Sequence, residues 1–289
     1  MTLILLQQYN YKNVNFNRSE YNEKDLLNFC AEQNIDMIKK LLNMIDIDPN
    51  KLIEFEDFTF SINPLIFSVL TNKPTIVKIL SEHERINPNI TLSTTSIGRF
   101  TYVGFYSLAH AVISNYDEIV KILLKNKNIN LQLLTLGRNN LLHDASSNNA
   151  GVSKTEQEKQ SYLKIIRMLL ETNKIDPNIP NAGGFNPIAF CIHWKNYECL
   201  IELLKDERTN RLLVTPHYSR DIFNEEQYKI FNNCINQVKT ERNRKFKGLV
   251  KCAIKLKSKS REGKERLYHP SGEWVKIASK RFEINKNYY

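Results

Sequence analysis

Apolar residues recur along the chain at the spacing of paired amphipathic helices. In each of five segments a pair of long aliphatic residues closes one helical pattern, and a shorter apolar pattern precedes it. The closing pairs are Leu41-Leu42, Ile79-Leu80, Leu123-Leu124, Leu169-Leu170 and Leu203-Leu204. The preceding patterns carry Leu26 and Cys30, Leu65 and Val69, Leu108 and Val112, Leu142 and Ser146, and Ile188 and Ile192. The sequence therefore predicts two helices and a loop, repeated along the chain.

The five segments also share a register. The intervals 24–42, 63–81, 106–124 and 186–204, from the opening of the first helix to the end of the second, are equal in length. The remaining interval, 140–170, is longer, and its excess matches the polar stretch at 150–161, which we interpret as a loop inserted between the helices. Because neither helix can bury its apolar face alone, we expect stacked units to complete one continuous core.

Local signals support the helix starts and the connections. Asn63 and Asn186 each precede a proline, which predicts an N-cap followed by proline at the first helical position. The connections at 51–62 and 91–105 are rich in Phe, Tyr, Thr and Ile, which favours extended β-fingers.

The units resemble ankyrin repeats, whose signature is T-P-L-H-x-A in the first helix and V-x-x-L-L in the second. The first part is represented by NPLIFS at 63–68, YSLAHA at 106–111, NLLHDA at 140–145 and NPIAFC at 186–191. The second part is represented by IKKLL at 38–42, IVKIL at 76–80, IVKILL at 119–124, IIRMLL at 165–170 and CLIELL at 199–204. The loop ends DPN at 48–50, NPN at 87–89, NIN at 128–130 and DPN at 176–178 resemble the D-V-N of the family. The resemblance covers about residues 24–208 and implies an all-α helix-turn-helix solenoid with β-hairpin fingers.

The chain departs from the family pattern in two respects. The repeats start at 24, 63, 106, 140 and 186, farther apart than the family's 33 residues. The usual glycine between the helices is replaced by Gln33, Asn72, Asn115, Asn149 and Lys195. Asparagine tolerates left-handed backbone, so we expect distorted turns only at Gln33 and Lys195. His143 occupies the family's threonine–histidine hydrogen-bond position, with Asn140 in place of threonine.

The resemblance implies a non-enzymatic scaffold that binds a protein partner on the concave surface of hairpin tips and first helices. The exposed aromatic and arginine residues expected there are Phe55, Phe58, Arg99, Phe100, Tyr102, Arg138 and Trp194. The alternative is that these aromatic residues pack finger against finger or cover the core. The lengthened repeats and asparagine-rich composition resemble ankyrin proteins of giant viruses, intracellular bacteria and protists, which implies a host-directed interaction.

Neither composition nor motifs predict catalysis, a cofactor or a metal. The chain has only 9 Gly residues, and its sequence contains no phosphate-binding glycine loop. Both observations argue against a nucleotide-binding enzyme. His143 and Asp144 are helix neighbours that do not face each other, so we interpret them as structural. Cys191, His193 and Cys199 have no second ligand pair at zinc spacing, which favours helix packing. The 5 scattered cysteines fit a reducing intracellular compartment, cytoplasm or nucleus, and the short apolar start, MTLILLQQY, predicts neither a signal peptide nor a membrane span.

The basic charge is concentrated at the C-terminus. Residues 239–289 hold 16 of the 41 Lys and Arg but only 5 of the 31 Asp and Glu. Residues 221–238 predict a capping helix opened by Asp221, and 268–284 a short hairpin. For 241–266 three interpretations remain: an amphipathic helix that closes the array, a nuclear-import or nucleic-acid segment, or a surface for anionic lipid. The basic residues of such a surface would be Arg242, Arg244, Lys245, Lys247, Lys251, Lys255 and Lys257.

These observations predict three parts: an N-terminal segment at 1–23, an array of about five repeats at 24–208, and a capping helix with a basic region at 209–289. We expect a monomer that binds one protein partner. The alternative function is nucleic-acid binding or nuclear targeting through the basic region.

Overall fold

The computed structural model describes residues 21–54, 61–92, 95–97, 100–102, 106–147, 155–210 and 225–262, with the backbone alone at 95–97, 100–102, 228 and 245–262. The chain divides into two compact units, Met1–Val238 and Lys239–Tyr289. The division falls where the sequence changes from nearly neutral to basic.

Within the described residues, ten helices form five consecutive pairs. The pairs are α1 (Glu23–Glu32) with α2 (Ile35–Leu42), α3 (Pro64–Leu70) with α4 (Pro74–Glu82), α5 (Ser107–Ile113) with α6 (Asp117–Leu124), α7 (Leu141–Ser147) with α8 (Glu156–Glu171), and α9 (Pro187–His193) with α10 (Tyr197–Lys205). A longer helix, α11 (Glu225–Glu262), follows them. Each pair coincides with one segment of the apolar pattern.

The first helices of the pairs stack in one row and the second helices in another. In the first row α1, α3, α5, α7 and α9 pack in that order; in the second row α4, α6, α8 and α10 do the same. Leu65 and Leu108 of the first row and Val77 and Val120 of the second are buried in one shared core. The predicted helix-turn-helix solenoid is therefore confirmed, because each pair covers the apolar face of the next.

Asparagine side chains begin several of the first helices. Oδ1 of Asn63 accepts a hydrogen bond from the Ile66 N–H at 2.8 Å, and Oδ1 of Asn186 accepts one from the Ala189 N–H at 2.8 Å. Both predicted N-caps are confirmed. Each satisfies an N–H that has no partner inside the helix.

In the four pairs whose inner turn the structure describes, this turn contains a residue in the left-handed backbone region. Gln33, Asn72, Asn115 and Lys195 have φ of 60°, 51°, 61° and 56°. The predicted distortion at Gln33 and Lys195 is wrong: the next residue donates its N–H to the preceding helix in all four turns, at N···O distances of 2.8–3.0 Å. This shared hydrogen bond holds glutamine and lysine in the conformation that asparagine adopts. Asn149 lies outside the described residues.

The two long connections form β-hairpins, as predicted. Strands β1 (Ile53–Glu54) and β2 (Ser61–Ile62) pair antiparallel, with Ile53 opposite Ile62. Strands β3 (Thr95–Ile97) and β4 (Phe100–Tyr102) also pair antiparallel, with Ile97 opposite Phe100.

The interpretation of 150–161 as a loop is wrong for its second half, because α8 begins at Glu156. A capping box starts the helix early: Thr155 Oγ1 accepts from the Glu158 N–H at 3.3 Å, and Glu158 Oε2 accepts from the Thr155 N–H at 2.9 Å. Glu, Gln and Lys then favour the helical state over a loop. Residues 148–154 lie outside the described residues.

Asparagine residues at the loop ends join successive repeats. Asn50 Nδ2 donates to the Arg85 carbonyl and Asn50 Oδ1 accepts from the Asn87 N–H, both at 2.7 Å. Two further asparagines repeat this pair of bonds: Asn89 with Asn128 and Asn130, and Asn178 with Arg208 and Asn210. One side chain thus satisfies two backbone groups of the next repeat, which fixes the spacing of the loops despite the unequal repeat lengths.

The guanidinium group of Arg85 binds the end of the preceding helix pair. It donates to the carbonyls of Leu42 at 2.9 Å, Met44 at 2.7 Å and Ile47. Arg208 makes the corresponding contact later in the array, with the carbonyl of Leu170 at 2.9 Å. Carbonyls at a helix C-terminus have no partner inside the helix, so these arginines link one repeat to the next.

Replacement of Arg85 should therefore weaken the array. We expect Arg85→Ala to lower the free energy of unfolding by about 2 kcal/mol, because several carbonyls lose a charged donor. Arg85→Lys should recover only part of the loss, since an ammonium group cannot span the same carbonyls. Urea denaturation measures both, with Arg138→Ala, a substitution of an exposed arginine, as the control. Equal losses in the Arg85→Ala and Arg138→Ala variants would contradict the linking role.

The first part of α11 packs on the last repeat. Phe231, Cys234 and Val238 are buried and belong to the same core as the repeats. Burial raises the pKa of the Cys234 thiol, and the nearby Glu198 of α10 adds to this effect. A helix in this position caps the end of the array. The predicted N-cap Asp221 and the predicted hairpin at 268–284 lie outside the described residues.

Candidate protein-binding surface

The first helices differ in how much surface they leave to a partner. Residues 63–70 around α3 and 140–146 around α7 are buried throughout. By contrast, α9 ends in His193 and Trp194, which are exposed, and the Trp194 side chain keeps 40% of its surface accessible. Within the described residues, the fifth repeat therefore offers more side-chain surface on its first helix than the second and fourth repeats do.

Four rings form a cluster on and before α9. Phe190 and Trp194 are one helical turn apart, with ring centroids 6.1 Å apart and planes at 79°. Phe185 lies 6.4 Å from Phe190 and 5.2 Å from His193, and His193 lies 5.2 Å from Trp194. These separations and tilts are those of favourable aromatic pairs. We call Phe185, Phe190, His193 and Trp194 the aromatic cluster; two of its rings are exposed and two are half-buried.

The hairpin tip of the fourth repeat carries exposed apolar residues and an arginine. Leu136 is 57% exposed and Leu134 is 38% exposed. A tight turn places them there: Gly137 and Arg138 have φ of 73° and 58°, and the Thr135 N–H donates to the Asn139 carbonyl at 2.9 Å. We call Leu134, Leu136 and Arg138 the fourth tip.

Hydrogen bonds join the fourth tip to the loop that leads into the aromatic cluster. The Ala182 N–H donates to the Gly137 carbonyl at 2.7 Å, and Asn181 Nδ2 donates to Asn139 Oδ1 at 2.8 Å. The Asn181 N–H also donates to the carbonyl of Phe185 at 2.8 Å. The fourth tip and the aromatic cluster are therefore parts of one continuous surface, which we call the docking surface.

Buried polar residues of α7 support the docking surface from beneath. Thr135 Oγ1 donates to the Asp144 carboxyl group at 2.9–3.0 Å. Burial raises the pKa of Asp144 to about 7, although hydrogen bonds from Thr135 and Asn139 act in the opposite direction. This carboxyl group is therefore partly protonated near neutral pH.

His143 connects α7 to the next repeat. Its Nε2 lies 2.8 Å from the carbonyl oxygen of Phe185 and donates to it, while Nδ1 accepts from the Asn140 N–H at 3.2 Å. Burial lowers the pKa of His143 to about 4, although the bond to Phe185 opposes the shift, so the ring is neutral at pH 7. The inferred pairing of His143 with Asn140 is confirmed by this bond from the Asn140 N–H to Nδ1.

The sequence-predicted contact residues are distributed unevenly over the structure. Arg138 and Trp194 both lie on the docking surface and are exposed. Phe100 and Tyr102 lie on β4, described as backbone alone, while Phe55, Phe58 and Arg99 lie outside the described residues. Their binding roles stay predictions. Leu134, Leu136, Phe185, Phe190 and His193 were not predicted; the spacing of Phe190 and Trp194 by one helical turn was the available signal.

The basic residues that we predicted to bind nucleic acid or anionic lipid lie on α11. Arg242 and Arg244 are exposed, and Lys245, Lys247, Lys251, Lys255 and Lys257 follow along the helical backbone. The backbone is helical as far as Glu262, which agrees with the helix named in one of the three interpretations of 241–266. Binding of nucleic acid or anionic lipid to it stays a prediction.

The residues considered for chemistry occupy separate places. His143 contacts Phe185 and Asn140, whereas Asp144 contacts Thr135, so the two do not act on each other. Cys191 and Cys199 are buried between α9 and α10, while His193 is exposed. Across the described part of the chain, no group of three or more His, Cys, Asp and Glu could hold a metal ion. None of the described helices has the length and apolar character needed to cross a membrane.

Comparisons with known proteins agree with this geometry. The model of the ankyrin repeat family, with 3 copies, matches residues 26–133. The crystal structure of EF0377, an ankyrin repeat protein, is similar to the chain with a TM-score of 0.56 and 16% sequence identity; the match covers 75% of this chain and 99% of that one. No curated protein matches the sequence. Ankyrin repeats generally mediate binding between proteins. Together with the stacked helix pairs, these matches show that residues 26–133 are similar to ankyrin repeats and that the chain shares the fold of an ankyrin repeat protein.

Proposed function

We propose that this chain is a non-enzymatic scaffold that reversibly binds a protein partner on the docking surface formed by the fourth tip and the aromatic cluster. The observation that carries the proposal is the exposure of Trp194, Leu134 and Leu136 on one hydrogen-bonded surface. Binding hot spots are enriched in tryptophan and arginine, and Trp194 and Arg138 are both exposed on this surface.

The docking surface is also held in one shape before a partner arrives. The Ala182–Gly137 and Asn181–Asn139 bonds fix the fourth tip against the loop that leads into the aromatic cluster. His143 binds the Phe185 carbonyl, and the Asp144 carboxyl group binds Thr135, so both buried side chains hold the surface loops in place. A surface that is already ordered loses less conformational entropy on binding, so its apolar contacts contribute more to affinity.

Removal of Trp194 tests the proposal. We expect Trp194→Ala to weaken partner binding by about 30-fold or more, in line with a hot-spot loss of about 2 kcal/mol. The full chain is immobilised, exposed to a cell lysate, and compared with Trp194→Ala and with Ile45→Ala. Ile45 is 88% exposed but belongs to the first repeat, so it controls for loss of an exposed apolar residue.

The expected result is a protein retained by the wild type and by Ile45→Ala but lost with Trp194→Ala. Circular dichroism should show that the Trp194→Ala chain is folded, because its side chain lies at the surface. Identical retained proteins for all three chains would contradict the proposal.

A further inference from the structure

We propose that the docking surface binds an acidic segment of its partner, with an apolar side chain against Trp194 and carboxylate groups near Arg138 and Lys195. This inference rests on the proposed function and deepens it, because it names the chemistry of the partner.

The charge of the docking surface has one sign. The segments that build it, 131–143 and 177–197, contain no Asp or Glu. Their formal charges are those of Arg138 and Lys195, and both side chains are exposed. Lys195 directly follows Trp194 in the left-handed turn, with φ of 56°. A segment bound there therefore meets formal charges of one sign, both positive.

The acidic residues nearest in sequence do not neutralise this charge. Asp144 is buried, and its carboxyl group accepts hydrogen bonds from Thr135 beneath the fourth tip. Glu198 is exposed on α10, where its charge contributes to raising the pKa of Tyr162, Cys199 and Cys234. Asp176, the residue before 177–197, is exposed, and its carboxylate accepts hydrogen bonds from the N–H and Nδ2 of Asn178. Among the described residues no carboxylate pairs with Arg138 or Lys195, so both cations are available to a partner.

The expected free energies assign different roles to the ion pairs and to the apolar contacts. A solvent-exposed ion pair contributes only about 1 kcal/mol or less, whereas burial of an aromatic hot spot contributes about 2–4 kcal/mol. The apolar contacts therefore supply most of the affinity, and the two cations select among apolar segments. A lysine-rich segment is repelled, and an uncharged one gains nothing from the cations.

The same charges disfavour a nucleic acid as the occupant. A protein that binds a nucleic acid neutralises many phosphates. Each neutralised phosphate adds roughly one unit to the slope of log binding constant against log salt concentration. Two cations and several apolar side chains match an acidic polypeptide better than a polyanion. Preferential binding of a nucleic acid is therefore one of the results that would contradict the proposal.

Selection from a phage library of random dodecapeptides tests the inference with the full chain. Phage are selected on the wild type and counter-selected on Trp194→Ala, so that the retained peptides depend on the docking surface. We expect these peptides to be enriched in Asp and Glu beside Leu, Phe or Trp. Retained peptides with neutral or basic flanks would overturn the acidic partner and leave the proposed function intact. A selection without any Trp194-dependent peptide would overturn the proposed function itself.

A second experiment reverses the charge of the two cations on the docking surface. For a selected acidic peptide, we expect Arg138→Glu and Lys195→Glu each to weaken binding about 5-fold or more, with the loss reduced at high salt. Lys125→Glu, on the exposed end of α6 in the third repeat, serves as the matched control and should leave the affinity unchanged. An equal loss in the Lys125→Glu chain would overturn the local pairing. Displacement of the peptide by oligothymidylate at lower concentration than by the free peptide would overturn the choice of a protein partner.

Discussion

Replacement of Asp144 by asparagine should change how the stability of the chain depends on pH. Relative to the wild type, we expect the free energy of unfolding of Asp144→Asn to rise by up to about 4 kcal/mol between pH 4 and pH 8. Urea denaturation followed by circular dichroism at a series of pH values measures the difference. The new amide changes stability by a constant amount, so the slope against pH carries the information.

The sign follows from the direction of the pKa shift. Burial raises the pKa of Asp144 in the folded chain to about 7, from an ordinary value of 3.8. The stabilising contribution of this group is therefore complete below its unfolded pKa and is lost as pH rises through its folded pKa. Asparagine does not ionise, so the variant escapes this loss. The buried histidines titrate in both chains, and their effect cancels in the comparison.

Asp117→Asn is the matched control, with the opposite expectation. Burial tends to raise the pKa of Asp117, but the ion pair and hydrogen bond with Lys164 outweigh it and lower the pKa. Its contribution is present above the unfolded pKa and is lost as pH falls. Asp117→Asn should therefore be less stable than the wild type at neutral pH, by about 1 kcal/mol or less, and equal to it in acid. A pH-independent difference for Asp144→Asn would contradict the assignment.

Much of the array follows from local patterns in the sequence. The helix pairs are predictable because each carries its own apolar stripe, and the N-caps at Asn63 and Asn186 because each precedes a proline. Other features depend on the balance of competing local signals. The start of α8 at Glu156 was hidden by a polar stretch without apolar periodicity, although Thr155 and Glu158 carried the capping signal. The left-handed turn at Lys195 depends on the hydrogen bond from the Asn196 N–H to the Cys191 carbonyl. The amino-acid composition of the turn does not reveal how strong that bond is.

The docking surface is less predictable because it depends on contacts between repeats. Arg138 and Trp194 stand out in the sequence as residues typical of interfaces. Phe185 does not, because it joins the aromatic cluster only through the turn in which its carbonyl accepts from the Asn181 N–H. The burial of α3 and α7 is likewise a property of the stacked array, since their sequences follow the same pattern as that of α9.

His143 should prove essential for coupling the last two repeats. We expect His143→Ala to lower the free energy of unfolding by about 3–4 kcal/mol, because the fully buried ring leaves a cavity and the Phe185 carbonyl loses its donor. The ring also contacts Phe190, with centroids 5.6 Å apart. In a linear array such a loss weakens one interface between neighbours rather than the whole chain. The fifth repeat should then unfold before the others.

Tryptophan fluorescence and circular dichroism separate these events. In a Trp274→Phe background Trp194 is the remaining tryptophan of the 2 in the chain, so its emission reports on the fifth repeat, whereas circular dichroism reports on all helices. For His143→Ala the fluorescence transition should move to lower urea concentration than the dichroism transition. His110→Ala removes a half-buried ring, whose Nε2 lies 3.0 Å from Ser114 Oγ within the third repeat, and should not advance the fluorescence transition in this way. Coincident transitions in His143→Ala would show that the fifth repeat stays coupled without the histidine, because the apolar contacts between α7 and α9 would then be sufficient.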